Sequence, residues 1–171
     1  SNKFAFDTSG TFLNAPAVFL PTDDLSLLAI LNSKLIWFYL IRNCVLRSGG
    51  YIEVKPQYFE KIPIKEATKK EKQLLTKHTE KMLTLHKSIS EQSQKFIDLL
   101  RANFVFDPTA KLKKWHTLEF IDVIAELEKG GAKLPPKKQG EWLELFKTEK
   151  EKIKTTQNEI DKTDKEIDQL V

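Results

Sequence analysis

Two stripes of apolar residues, each too narrow to fold alone, constrain this chain most. From Ala67 onward, Leu75, His78, Met82, Leu85, Ile89, Gln92, Phe96 and Leu99 alternate three and four apart, and six of the eight are apolar. Phe146, Glu149, Ile153, Thr156, Ile160, Thr163, Ile167 and Leu170 repeat the spacing at the far end of the chain. That alternation is the seam of a coiled coil, with a charged face around it, so each helix needs a partner. The two are similar in length, about thirty-odd residues or roughly 50 Å at 1.5 Å per residue. We expect them to pack antiparallel as a projecting rod. His78 and Gln92 sit on the first seam and read as buried polar groups that fix register. They do not suggest a metal site, because His78 and His86 are eight apart and His116 falls on another element.

Between the stripes the pattern predicts a small helical insert over about residues 103–140. Thr117 is placed to cap a short amphipathic helix, "LEFIDVIAELEK", which Gly130-Gly131 ends, and "KLPPKKQG" is a basic loop before Glu141.

The first 66 residues read differently. Phe4, Phe6, Phe12, Val18, Phe19 and Leu20 lie between the turn signals Asp7-Thr8-Ser9-Gly10 and Asn14-Ala15-Pro16, which suggests short strands joined by tight turns. Thr22 or Asp23 is placed to cap a single helix over residues 24–43. That helix is apolar over most of its circumference, so Trp37, Phe38 and Tyr39 are expected in the core. Gly49-Gly50 then permits a turn, Tyr51 to Val54 reads as a strand that Pro56 terminates, and Gln57 to Lys61 forms one helical turn.

A length of 171 residues accommodates one compact domain or a small domain with a helical appendage. With 28 Lys and Arg against 24 Asp and Glu, the formal charge is +4, compatible with a nucleic-acid partner without demanding one. The single cysteine, Cys44, lies in an apolar segment and reads as a small core residue, so nothing marks an oxidising compartment and a cytoplasmic address is expected. Residues 25–45, the longest apolar region, are interrupted by Asn32, Ser33, Lys34, Arg42 and Asn43, too polar for a bilayer span, and no membrane partner is expected. Ser1-Asn2 looks like a cleavage scar and Val171 stops within a helical pattern, as in a fragment of a longer protein.

Two chemistries compete for the segment from Arg47 to Pro63. "PTDD" followed by Glu53-Val54-Lys55 has the residue types of a Mg²⁺-dependent nuclease, in which carboxylates hold the metal and lysine orients the attacking water. The acid should then begin a strand, whereas Asp23 and Asp24 open a helix, where the dipole ordinarily favours them. Phosphate loops, nucleophile elbows, dinucleotide fingerprints and paired Cys-x-x-Cys are all missing. The other chemistry is nucleic-acid contact through Arg42, Arg47, Lys55, Gln57, Tyr58 and Lys61, which interleave phosphate-binding, base-pairing and stacking groups.

Asn32-Ser33-Lys34-Leu35, Gly49-Gly50-Tyr51 and Tyr58-Phe59-Glu60-Lys61-Ile62-Pro63, followed by a long charged helix, resemble the TaqI-like C-terminal specificity domain of type IIG restriction-modification enzymes and N6-adenine DNA methyltransferases. The resemblance covers residues 4 to about 66 and the last helix, and covers the 103–140 insert poorly. It departs at Ile64-Lys65, where a second proline is common. It implies a non-catalytic target-recognition module that reads double-stranded DNA. A catalytic methyltransferase or nuclease region elsewhere in the same polypeptide would use S-adenosylmethionine and Mg²⁺, with no cofactor here. Arg47, Lys55, Gln57 and Lys61 are then candidate backbone or base contacts, with Tyr51 and Tyr58 for packing or sugar contact. The alternative place for base-reading residues is upstream, in the loops of residues 3–14 or before Ser1.

The expected fold is therefore α+β: a small mixed sheet-and-helix recognition domain over residues 1–66, followed by long antiparallel coiled-coil-like helices over 67–171 as a spacer. A coiled-coil scaffold or protein-interaction module is the alternative, and a Mg-dependent nuclease the third reading.

Overall fold

The structure, a computed structural model, describes residues 4–10, 12 and 18–171. The fold is α+β, with long helices and one small sheet. In order come α1 (Leu25–Asn32), α2 (Lys34–Asn43), β1 (Val45–Arg47), β2 (Tyr51–Glu53), α3 (Pro56–Phe59), α4 (Lys69–Asn103), a 3₁₀ helix (Leu112–Thr117), α5 (Phe120–Lys129), a second 3₁₀ turn (Pro136–Lys138) and α6 (Gln139–Leu170). The chain forms two compact units, one of Ser1–Met82 with Lys162–Val171 and the other of Leu83–Asp161. The boundary expected near residue 66 falls inside the first unit, because Leu75 and Ile167 belong to the same buried cluster as α1 and α2.

In the first unit, the expected single helix is two, bent by 61° at Ser33. Ser33 adopts an extended ψ of 158°, its N–H donates to the Ile30 carbonyl to close α1, and its hydroxyl accepts from the Ile36 N–H to open α2. Asn32, the last residue of α1, ties this joint to the start of the chain, since its side chain exchanges 3.0 Å hydrogen bonds with both backbone groups of Phe4. Asp168 of α6 completes the joint, accepting from the Lys34 N–H at 2.9 Å and pairing with its ammonium at 2.7 Å, which raises the Lys34 pKa.

The cap of α1 is Asp24 rather than Thr22 or Asp23. Its Oδ1 accepts from the Ser26 hydroxyl and from the N–H groups of Ser26 and Leu27, and the Ser26 bond above all lowers its pKa. The bend also changes which residues reach the core. Ile36 and Leu40 are fully buried, Trp37 and Tyr39 are half-buried, and Phe38 is 52% exposed under the Arg42 guanidinium, so the expectation of a buried Phe38 is corrected. Cys44 is buried, as expected of a core residue, and burial raises its thiol pKa.

The expected strands near the start of the chain are also corrected: the described residues from 4 to 24 contain none. Phe6, Phe12 and Phe19 are exposed, and without a ladder partner or a buried face such a segment gains little from pairing. The turn expected at Asn14-Ala15-Pro16 lies outside the described residues. Among the described residues no single helix is long and apolar enough to cross a membrane. Although α1 and α2 together have the composition, they are bent at Ser33 and bury Ala29, Ile30, Leu31, Ile36 and Leu40 in the first unit's core.

A reciprocal cap opens α4. The Thr68 N–H and hydroxyl donate to Glu71 Oε2 at 2.7 and 2.8 Å, while the Glu71 N–H donates back to the hydroxyl at 3.3 Å. These bonds, with Lys65 adding to them, hold the Glu71 pKa down to about 2.

The second unit is built on aromatic residues. Phe96 of α4, Trp115 of the 3₁₀ helix and Phe146 of α6 meet with ring centroids 4.0 to 6.3 Å apart, joined by Leu112, Leu127, Leu134 and Trp142. Within this unit Phe96 faces Phe146 while Ile89 and Ile153 share the cluster, so α4 and α6 run antiparallel there. Thr117 does not cap α5, as its hydroxyl donates backward to the Lys114 carbonyl and Glu119 occupies the cap position instead. Lys150 secures that corner by donating to the Leu118 carbonyl at 2.7 Å and to Glu119 at 3.0 Å.

His116, beside Trp115, has a buried Nδ1 without a hydrogen-bond partner among the described residues. Burial, reinforced by the Lys150 ammonium, lowers its pKa from 6.5. The unfolded chain therefore takes up a proton near pH 6.5 that the folded chain refuses until lower pH, so this contribution is full above that value and is lost as pH falls. The urea midpoint should drop between about pH 8 and about pH 5.5, and His116→Gln should show the smaller drop.

Candidate nucleic-acid interface

The register of the hairpin decides what it displays. Val45 pairs with Glu53, Leu46 with Ile52 and Arg47 with Tyr51. Directly paired residues share a face. Arg47, Tyr51 and Glu53 therefore stand on one side, while Ile52, on the other, packs against the core of the first unit. Anchoring Ile52 turns Arg47 and Tyr51 outward, and Tyr51 is 75% exposed.

Two glycines make the tip possible. The Gly50 N–H donates to the Arg47 carbonyl at 3.2 Å, closing a four-residue turn, and Gly49 and Gly50 have φ of +87° and +80°. Gly49 holds the third turn position, where positive φ suits glycine. A Cβ there would also lie 3.2 Å from the Tyr51 ring.

One carboxylate organises the charges. Glu53 Oε2 accepts from Arg47 Nε at 2.8 Å and from Arg47 Nη2, and Lys55 Nζ lies 4.0 Å from the same oxygen. Two cations thus share one anion, leaving a net positive charge beside an exposed tyrosine. That combination can bind a phosphate and lay a ring against a sugar or base. Apolar periodicity carries no sign that Glu53 plays this part, which depends on strand register.

The remaining candidates divide. Pro56 at the start of α3 fixes its first φ, and α3 turns Tyr58 toward the core, where it is half-buried. Gln57 and Lys61 are exposed, and the Lys61 carbonyl accepts from the Tyr39 hydroxyl at 2.8 Å. Arg47 and Lys55 are thus brought together at Glu53, with Tyr51 opposite Arg47 on the same face, whereas Tyr58 serves as an anchor beneath the segment. Arg42 lies on α2 with its guanidinium 3.4 Å above the Phe38 ring centroid. It forms one wall of an open groove of about 410 Å³ with Leu35, Tyr39, Pro63 and Ile64.

The residues of the nuclease reading have other partners in this fold. Asp24 caps α1 and Glu53 holds Arg47 and Lys55. Among the described residues, no group of three or more His, Cys, Asp or Glu is arranged to hold a metal ion. His78 on the α4 seam instead faces Glu166 of α6, with 3.5 Å between Nδ1 and Oε2.

Comparison with known proteins found no matching curated protein and no matching solved structure. A family model does match residues 68–171, the segment from the α4 cap through the end of α6. The chain belongs to the family of that model, a domain of unknown function designated DUF8810.

Proposed function

We propose that this chain is a sequence-specific double-stranded DNA recognition module of a cytoplasmic restriction-modification enzyme. Recognition belongs to this chain, and methyl transfer or cleavage to a catalytic region of the same polypeptide, which would use S-adenosylmethionine and Mg²⁺. The observation that carries this reading is the outward hairpin face, where Glu53 gathers Arg47 and Lys55 and the exposed Tyr51 stands opposite Arg47, on a strand pair anchored by Ile52. The resemblance of Asn32-Ser33-Lys34-Leu35, Gly49-Gly50-Tyr51 and Tyr58 to Pro63 to TaqI-like specificity domains supports it. Most of these residues also have structural work, since Asn32, Ser33 and Lys34 form the α1–α2 joint and the glycines form the hairpin tip. Gln57 on α3 and Lys61 just after it are exposed and are the further backbone or base contacts of this reading.

Replacing Arg47 and Lys55 together by alanine should weaken duplex binding. It should also lower the slope of log affinity against log salt by about 0.9 for each phosphate the variant no longer neutralises. Unchanged affinity and slope, measured by fluorescence anisotropy, would remove the hairpin from the interface. A stable dimer held by residues 68–171, with no duplex binding at low salt, would favour a coiled-coil scaffold instead.

A further inference from the structure

The lysines of the second unit fall into two populations. Those on its long helices mostly have acidic partners: Lys87 with Glu91, Lys147 with Glu144, Lys150 with Glu119, Lys152 with Glu149 and Lys154 with Glu151, at 2.6 to 3.9 Å. Residues 110–118 and 132–140 differ, together containing six lysines and no aspartate or glutamate. Lys111 lies in the field of Glu126. Lys113, Lys114, Lys133, Lys137 and Lys138 are exposed and form no ion pair among the described residues.

These cations are not on floppy chain. Leu112, Trp115 and Leu118 are buried on the first segment and Leu134 on the second, all in one cluster. The Trp115 indole N–H also donates to the Ser93 carbonyl at 3.1 Å, and the 3₁₀ turn at Pro136–Lys138 orders the second segment. Burying the apolar residues forces the lysines outward on a fixed backbone. Uncompensated like charges on an ordered surface repel one another, and a polyanion relieves that repulsion by releasing its own counterions. Lysine is a compact point charge that suits phosphate, whereas planar arginine suits bidentate reading of guanine. The surface has lysines and no arginine, which favours backbone positioning over base reading.

We infer that Lys113, Lys114, Lys133, Lys137 and Lys138 form a second DNA contact, a phosphate-binding surface on the second unit that positions the duplex without reading its sequence. This inference rests on the proposal that the chain binds duplex DNA, and it is tested separately from the hairpin. The full-length chain and a variant with Lys113→Gln, Lys114→Gln, Lys137→Gln and Lys138→Gln are titrated against a labelled mixed-sequence DNA duplex at several salt concentrations. The wild-type salt slope should fall by about 2 to 4 in the variant, at about 0.9 per phosphate no longer neutralised. Affinity in dilute salt should fall about tenfold or more. Wild-type binding whose affinity and slope survive the four substitutions overturns the inference and leaves the hairpin reading standing. A wild-type chain that binds no duplex even at the lowest salt overturns both. A reduced slope in the lysine variant, with an unchanged one in the Arg47→Ala, Lys55→Ala variant, supports the inference and places the interface away from the hairpin.

Discussion

Replacing Trp115 by alanine should cost about 3–5 kcal/mol of stability, the usual range for removing a large buried aromatic side chain. Trp115 is fully buried, its ring lies 4.0 Å from Phe96 and 5.7 Å from Phe146, and its indole N–H satisfies the Ser93 carbonyl. Alanine would leave a cavity where three elements meet and remove the indole N–H that joins the 3₁₀ helix to the α4 backbone at Ser93. Urea unfolding followed by far-UV circular dichroism should show a large fall in midpoint. Ile121→Ala is the control, because Ile121 is 72% exposed and such surface changes usually stay within about 0.5 kcal/mol. Equal effects from the two substitutions would mean that Trp115 is not central to this core.

The second large effect should fall on binding rather than folding. Gly49→Ala with Gly50→Ala puts Cβ atoms on two residues whose φ values are +87° and +80°. Left-handed backbone costs roughly 1–2 kcal/mol per non-glycine residue, and a strand pair of three residues each has little stability of its own to offset that. The hairpin should open while the helical circular dichroism stays nearly unchanged. If Arg47 and Tyr51 contact DNA only from a closed hairpin, affinity falls with the closed fraction, by roughly tenfold to several-hundredfold. Unchanged DNA affinity in a variant whose hairpin is shown by NMR to be open would detach recognition from this element.

Much of this fold was legible in the sequence wherever burial follows a period. Ile153, Ile160, Thr163 and Ile167 of the second stripe are all buried, as is Leu75 of the first. The first stripe fails at Leu99, which is 39% exposed, because a straight helix drifts from a seven-residue repeat and burial shifts to Ile97 and Leu100. The break at Ser33 was hidden for another reason. It depends on Asn32 binding the Phe4 backbone and on Asp168, which is 134 residues from Lys34 in sequence. No local pattern carries such a contact. Thr68-Lys69-Lys70-Glu71, by contrast, is a capping signal in plain view that a search for apolar periodicity passes over. In the candidate site, residue types pointed to Arg47, Tyr51 and Lys55, but only the strand register shows that Glu53 gathers the two cations.

The most direct measurement is a selection of duplexes from a random-sequence pool by the full-length chain, repeated until the retained pool is stable and then sequenced. DNA recognition predicts one enriched motif, bound about a thousandfold or more tighter than the starting pool in the same salt, as specific sites ordinarily are. A pool that remains random, or one bound no more tightly than at the outset, would contradict it.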